Sequence, residues 1–424
     1  MTLLIKNGNV FYHNRFEELD VYIDEHKRLT LAQSIDIDAD ETIDASGLHI
    51  MPGFIDTHVH LREPGFEYKE TIQTGTYAAA KGGYTTVFCM PNLKPVTDSV
   101  ETYLAIQKQI KENACIQVYP YVAITKQQKG EQIVDIDAIS KHSLFFSDDG
   151  KGVQDESLML EAMSKAQAVN AMIVAHCEDE SLLVKGGSVH DGLLVEKFNQ
   201  VGISSASEYK QIERDLNLVA QTHVQYHVCH ISTKEGVDLI RKAKQVGLNV
   251  SCEVTPHHLL LSEHDVVVDD GNYKMNPPLR TKEDQKALLE GILDGTIEII
   301  ATDHAPHAQE EKSQGLKASM MGIIGSELAF SLLYTKLVKT NQLSLEKLVQ
   351  LMSDVPANIF GIDGGYIDQD EVANLCIINL KDQQKITEKS LASKSKNTPF
   401  IGEHVHGINY MTICNGKIVY RKGI

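Results

Sequence analysis

The sequence predicts an α/β chain: a (β/α)8 TIM-type barrel over residues 53–360, with a small composite β-sandwich formed by the two terminal segments, 1–52 and 361–424. Three observations predict it. The middle of the chain alternates short apolar strands with stretches of helical period near 3.6. Eight strand candidates occur there, the number that closes such a barrel. Both ends read instead as short strands separated by polar turns.

In chain order, Thr2–Ile5, Val21–Ile23 and Glu41–Asp44 are the N-terminal strands. The barrel strands are Phe54–Thr57, Thr85–Cys89, Ile116–Tyr119, Leu144–Phe146, Met172–Ala175, Tyr226–Cys229, Leu248–Cys252 and Ile297–Ala301. Between them, Met159, Met163, Ala166 and Val169 fall on one helical stripe. Thr281-Lys282-Glu283-Asp284 resembles a capping box before Ala287, Leu288 and Ile292. At the C-terminal end, Asn374–Ile378 and Met411–Cys414 are strands, the second followed by a hairpin-type Asn415-Gly416.

Composition narrows the function. A formal charge of -18 repels phosphate backbones and anionic lipid, which argues against nucleic-acid and membrane partners; the expected partner is a small-molecule substrate. The seven cysteines are odd in number, scattered and without a CxxC pair, which points to a reducing compartment. The N-terminal apolar run is too short for a signal peptide, and no stretch of about 18 apolar residues occurs, so the expected location is cytoplasmic.

A barrel places its chemistry at the C-terminal ends of its strands. Just past the first strand stands His58-Val59-His60-Leu61-Arg62, and past the second Met90-Pro91-Asn92. The fourth gives Ser147-Asp148-Asp149-Gly150, the fifth His176, the sixth His230, the seventh Thr255-Pro256-His257-His258 and the eighth Asp303-His304-Ala305-Pro306-His307. Side chains two apart on an extended strand point the same way, so His58 and His60 can share one ion. Together with His176, His230 and Asp303 they form a nitrogen and oxygen set suited to Zn²⁺ or a similar first-row ion. Asp149 has two oxygens with which to bridge a pair of ions. His257, His258 and His304 read as support for such ligands. His227, three residues before His230, should face away from the rim, Asp148 reads as a turn residue, and Cys177 and Cys229 as buried packing.

These motifs resemble a known family. Pro52-Gly53-Phe54-Ile55-Asp56-Thr57-His58-Val59-His60-Leu61-Arg62-Glu63-Pro64-Gly65 is similar to the metal-binding signature of cyclic amidohydrolases, and Ala301-Thr302-Asp303-His304-Ala305-Pro306-His307 to the second signature of bacterial dihydroorotases. The segments around Asn92, His176, His230 and Lys274-Met275-Asn276-Pro277-Pro278 extend the likeness over most of the barrel. The resemblance implies the reversible cyclisation of N-carbamoyl-L-aspartate to L-dihydroorotate in pyrimidine biosynthesis, with two Zn²⁺ per subunit. It implies that His58, His60 and Asp303 hold one ion, that His176 and His230 hold the other, and that Asp149 bridges them in place of the carboxylated lysine of many relatives. It assigns catalysis to Asp303, the substrate carboxylate to Arg62, Asn92 and His307, and the ring to Asn276. The relatives' Pro-Phe-Gly-like stretch is Met320-Met321-Gly322 here, so Met321 and Gly322 are carried over as backbone contacts to the ring.

Two other readings fit the same fold. A hydantoinase, dihydropyrimidinase or allantoinase acts on rings without a carboxylate and would not need Arg62, Asn92 and His307. A metal-poor homologue serving only as the scaffold of a transcarbamoylase would lack ligands that are all present here. The sequence leaves open the native ion, a homodimer and an aspartate transcarbamoylase partner. The polar stretch 308–322 is too long for a minimal βα turn and reads as a loop over the site.

Overall fold

A computed structural model describes residues 2–423. Eight parallel strands form the barrel: Phe54–Val59, Tyr84–Cys89 and Gln117–Pro120 in one sheet, then Phe145–Phe146, Met172–Ala175, Gln225–Val228, Val250–Val254 and Ile299–Ile300 in another. Two parallel bridges, Val122 with Phe146 and Val59 with His304, join the edges and close the ring. The eight segments expected from apolar runs are these eight strands, displaced at their ends by a few residues. The sequence reading did not anticipate a further parallel pair, Gly187–His190 with Val201–Ile203. It lies in the loop region after the fifth strand, and its three- and four-residue strands are too short to show an alternating pattern.

Burial explains why the barrel strands read as continuous apolar runs: both faces are covered. Ile55, Phe88, Tyr121, Met172, Val174 and Ile299 pack together, with Phe360 against Phe88 and Phe145. Helices cover the outside. Glu156–Ala168 buries Met159, Met163 and Ala166, and Lys282–Leu293 starts at Thr281 with the reciprocal Thr281–Asp284 capping box.

The first barrel strand departs from regular pairing where the site begins. Asp56 pairs with Val87 and Val59 with Cys89, so three steps on one strand face two on the other. Such a bulge lets consecutive side chains reach the same partner, and Thr57 and His58 both contact Glu253.

The termini meet in one eight-stranded sheet. His49–Pro52 pairs parallel with Leu3–Tyr12 and antiparallel with Leu375–Lys385, joining the two ends of the chain. Ile5, Val21, Leu29, Ile50, Leu375 and Ile413 form their shared core. Asn415 and Gly416, at φ 50° and 69°, supply the paired positive φ that a tight hairpin before Lys417–Arg421 requires. From this C-terminal half, residues 393–397 reach back to the barrel rim. Ser393 and Lys394 bind Glu70, Ser395 Oγ donates to the Lys69 carbonyl, and Asn397 Nδ2 donates to the carbonyls of Ala305 and Gly322. Among the described residues no helix is long and apolar enough to cross a membrane.

Candidate active site

A cavity of about 440 Å³ opens at the C-terminal ends of the strands. His60, Arg62, Asn92, Asp149, His176, His230, Asn276, Asp303, His307, Met321 and Gly322 line it, and His58 lies fully buried beside it. All twelve residues singled out from the sequence are thus brought together. Three of them, Arg62, His230 and Asp303, have φ of 64°, 28° and 47°, a region costly to ordinary residues and recurrent at functional sites.

At the cavity floor Asp149 stands between two imidazole pairs. Its Oδ1 is 3.3 Å from His58 Nε2 and 3.8 Å from His230 Nε2, and its Oδ2 is 3.6 Å from His60 Nε2. Asp303 Oδ1 is 3.0 Å from His60 Nε2 and 3.5 Å from His58 Nε2. His176 Nδ1 is 3.0 Å from His230 Nε2. Ligand atoms of His58, His60 and Asp149 lie within 4.8 Å of one another, and so do those of Asp149, His176 and His230. Although buried, His58 Nε2 and Asp149 Oδ1 have no hydrogen-bond partner among the described residues. Leaving such groups unsatisfied costs about 1–3 kcal/mol each, and two donor clusters sharing one carboxylate suit two cations. Burial opposes ionisation of Asp149 and Asp303, yet the surrounding imidazoles hold both carboxyls below the usual carboxylate range.

Neighbours settle which imidazole nitrogen faces the cluster. Glu253, wholly buried, accepts from His58 Nδ1 at 2.8 Å, from Thr57 Oγ1 at 2.6 Å and from His227 Nε2 at 3.2 Å. A carboxylate can only accept, so His58 carries its hydrogen on Nδ1 and presents the Nε2 lone pair. Asn92 Oδ1 does the same for His60 Nδ1 at 3.0 Å, while its Nδ2 donates to Asp149 Oδ2 at 3.2 Å. The Asn92 side chain therefore already supports ligand-type residues, and its second N–H has no hydrogen-bond acceptor among the described residues. On the other side Glu178 Oε2, 3.5 Å from His176 Nε2, accepts from Asn276 Nδ2 at 3.1 Å. Burial tends to raise the Glu253 carboxyl, but its two histidine partners outweigh this and hold it low.

Across the cavity, Arg62 Nε donates to the Pro306 carbonyl at 3.1 Å, and its Nη2 lies 3.4 Å from His307 Nε2. Lys69 Nζ can only donate, so its 3.2 Å contact makes His307 Nδ1 an acceptor and puts the hydrogen on Nε2. That N–H donates to the Met321 carbonyl at 2.8 Å. Burial and the cations Arg62, Lys69 and Lys312 push His307 down to about 2, so it is neutral. Burial also brings Arg62 down to about 10, which leaves it charged.

Asp148 turns away from the cluster and accepts from the Ile124 and Thr125 backbone N–H groups at 2.8 and 3.1 Å. His227 is held by Ser251 and Glu253. His258 bridges Thr255 and the Pro277 carbonyl, and His304 Nδ1 accepts from Gly325 N. Cys177 and Cys229 are buried, and burial pushes both thiols up. The sequence reading missed Glu253, Lys69 and Asn397. Only Glu253 left a signal, a lone charge inside the apolar run Val250-Ser251-Cys252-Glu253-Val254.

A family model described as dihydro-orotase-like matches residues 47–236. A dihydroorotase from Fusobacterium nucleatum is 48% identical over 418 residues, covering 99% of this chain and 98% of its own length. One from Staphylococcus epidermidis is 49% identical over 422 residues, covering 99% of both. The chain belongs to the dihydroorotase family. Among solved structures, an L-hydantoinase (dihydropyrimidinase) from Arthrobacter aurescens superposes with a TM-score of 0.89 at 26% identity, covering 100% of this chain and 96% of its own. A D-hydantoinase from a Thermus species gives 0.87, also at 26% and with the same coverage. The barrel is thus shared with hydantoinases, while the dihydroorotase relatives are far closer in sequence.

Proposed function

We propose that this chain is a dihydroorotase that opens and closes the L-dihydroorotate ring at the cavity described above. The observation that carries the reading is the pairing, across one cavity, of a carboxylate–imidazole cluster with the Arg62–His307 pair. The first suits a hydrolytic metal centre and the second a substrate carboxylate. His58, His60 and Asp303 would hold one divalent ion and His176 and His230 the other, with Asp149 between them; zinc fits the donor set. When bound, such ions supply Lewis acidity, polarising the scissile carbonyl and making water a usable nucleophile near neutral pH.

The protein's own groups do the rest. Arg62 offers its Nη edge, and His307, as the neutral Nε2–H tautomer, can turn its hydrogen from the Met321 carbonyl to the substrate carboxylate. The second Asn92 N–H adds to them, and Asn276 faces the ring. Asp303, ionised and on the cavity wall, takes the proton of the attacking water and returns it to the departing amide nitrogen. In the cyclising direction the same carboxylate removes a proton from the carbamoyl nitrogen. A hydantoinase activity would have no use for the Arg62–His307 pair. Stripping the protein with a chelator and restoring Zn²⁺ tests the reading. Ring opening of dihydroorotate, followed by ultraviolet absorbance, should vanish and return; activity unaffected by complete stripping would refute it.

A further inference from the structure

A buried cation in the loop after the eighth strand has no part in the reaction outlined above. Lys312 ends the short helix Gln309–Lys312, and it is only 4% exposed. Its Nζ donates to the carbonyls of Lys274 at 3.0 Å, Met320 at 2.8 Å and Gly322 at 2.8 Å. An ammonium has three N–H donors, and here each meets a main-chain oxygen. The nearby charges are Lys274, Asp270 and Glu311, and burial, aided by Lys274, lowers the amine to about 7. A long charged side chain is seldom buried this far unless its hydrogen bonds require it.

The three carbonyls belong to two separate segments. One leads from Lys274 to Asn276, and the other is Met320–Gly322; both line the cavity. Gly322 N also donates to the Lys274 carbonyl at 2.9 Å, so the segments touch directly where the ammonium joins them. The Met321 carbonyl between two of the captured oxygens is the acceptor for His307.

We propose that Lys312 is a positioning residue for substrate: it clamps the Lys274–Asn276 segment to the Met320–Gly322 segment and so fixes the wall against which the ring is held. This rests on the reading of the cavity as a dihydroorotate site. Lys312 does not itself line the cavity, so its effect passes through the two segments. Losing it shifts both Asn276 and the acceptor that orients His307.

Lys312→Met keeps length and volume while removing every donor. In the metal-loaded protein it should raise KM for dihydroorotate at least about tenfold, the equivalent of losing one charge-assisted hydrogen bond. The turnover number should stay within about threefold and metal content should not change. Backbone amide exchange should quicken over 274–278 and 319–324 and not at the strand ends carrying the histidines. Lys312→Gln, which retains two N–H donors, should fall between the variant and the wild type, and serves in its place if the methionine protein does not fold. An unchanged KM, unchanged exchange in both segments, or a joint loss of metal, turnover and melting temperature would each overturn the proposal. Amide exchange needs no substrate. Wild-type protein inert toward dihydroorotate would therefore sink the functional reading alone, and unaltered exchange in the variant would sink the clamp alone.

Discussion

Glu253→Gln isolates what a buried carboxylate does for its histidine. Glu253 Oε1 accepts from His58 Nδ1, while Oε2 meets Thr57 Oγ1 and His227 Nε2. Glutamine has the same shape. Its amide oxygen can take the Oε1 position and keep the bond to His58. Its NH₂ can then donate to Thr57, whose hydroxyl is able to accept, and to His227 if that ring carries its hydrogen on Nδ1 toward Ser251. The hydrogen bonds survive; what disappears is the negative charge that makes His58 Nε2 more basic. Replacing such supporting carboxylates costs about 10–100-fold in metal affinity, equivalent to about 1.4–2.7 kcal/mol. Competition between stripped protein and a chromogenic chelator measures this directly, with a melting curve to confirm the fold. Affinity within twofold of wild type in a normally folded variant would show that Glu253 is only a packing residue and that the assigned His58 tautomer has no bearing on the site.

Other perturbations separate the remaining roles. Asp149→Ala should lose at least one of the two expected ions together with activity, while Asp148→Asn, whose side chain serves the Ile124 and Thr125 backbone, should keep both ions by elemental analysis. Asp303→Asn should lower the turnover number by about 10²–10⁴ with a much smaller change in KM, because the proton transfer is made only in the transition state. Arg62→Met should cost about 10- to 150-fold in kcat/KM on dihydroorotate and little on a ring lacking the carboxylate; equal losses would make Arg62 structural. Met321→Ala should be mild, since only its carbonyl is used. Gly322 has φ 120°, and a Cβ there would stand 2.5 Å from Ala305 Cβ. Gly322→Val should therefore lower the melting temperature as well as raise KM, so the two must be measured together.

Barrel and rim were legible for different reasons. Strands buried on both faces leave apolar runs that no surface element imitates, so even the two-residue strand Phe145–Phe146 was found. The ligand-type residues were found because strand alternation and strand ends are local properties of the chain. What escaped depends on three-dimensional closure. The bulge that brings Thr57 and His58 onto one partner is a register shift between strands, which no single strand encodes. Lys69 Nζ donates to His307 Nδ1 and Asn397 Oδ1 accepts from the His307 backbone N–H at 3.1 Å, both from distant parts of the chain, and a lone lysine or asparagine in a polar loop gives no sign of its partner. Asn92 shows a finer limit: its position was legible, but its bonds to His60 and Asp149 emerge only when the ends of the first, second and fourth strands converge on one rim.

The proposed site reads a carboxylated ring. The most direct test is kcat/KM of the zinc-loaded protein for L-dihydroorotate beside dihydrouracil, hydantoin and allantoin. Sites built around a buried polar pair reject ligands that leave it unpaired by large factors, so a preference for dihydroorotate of at least about 10³-fold is expected. Comparable or better turnover of the uncharged rings would contradict it.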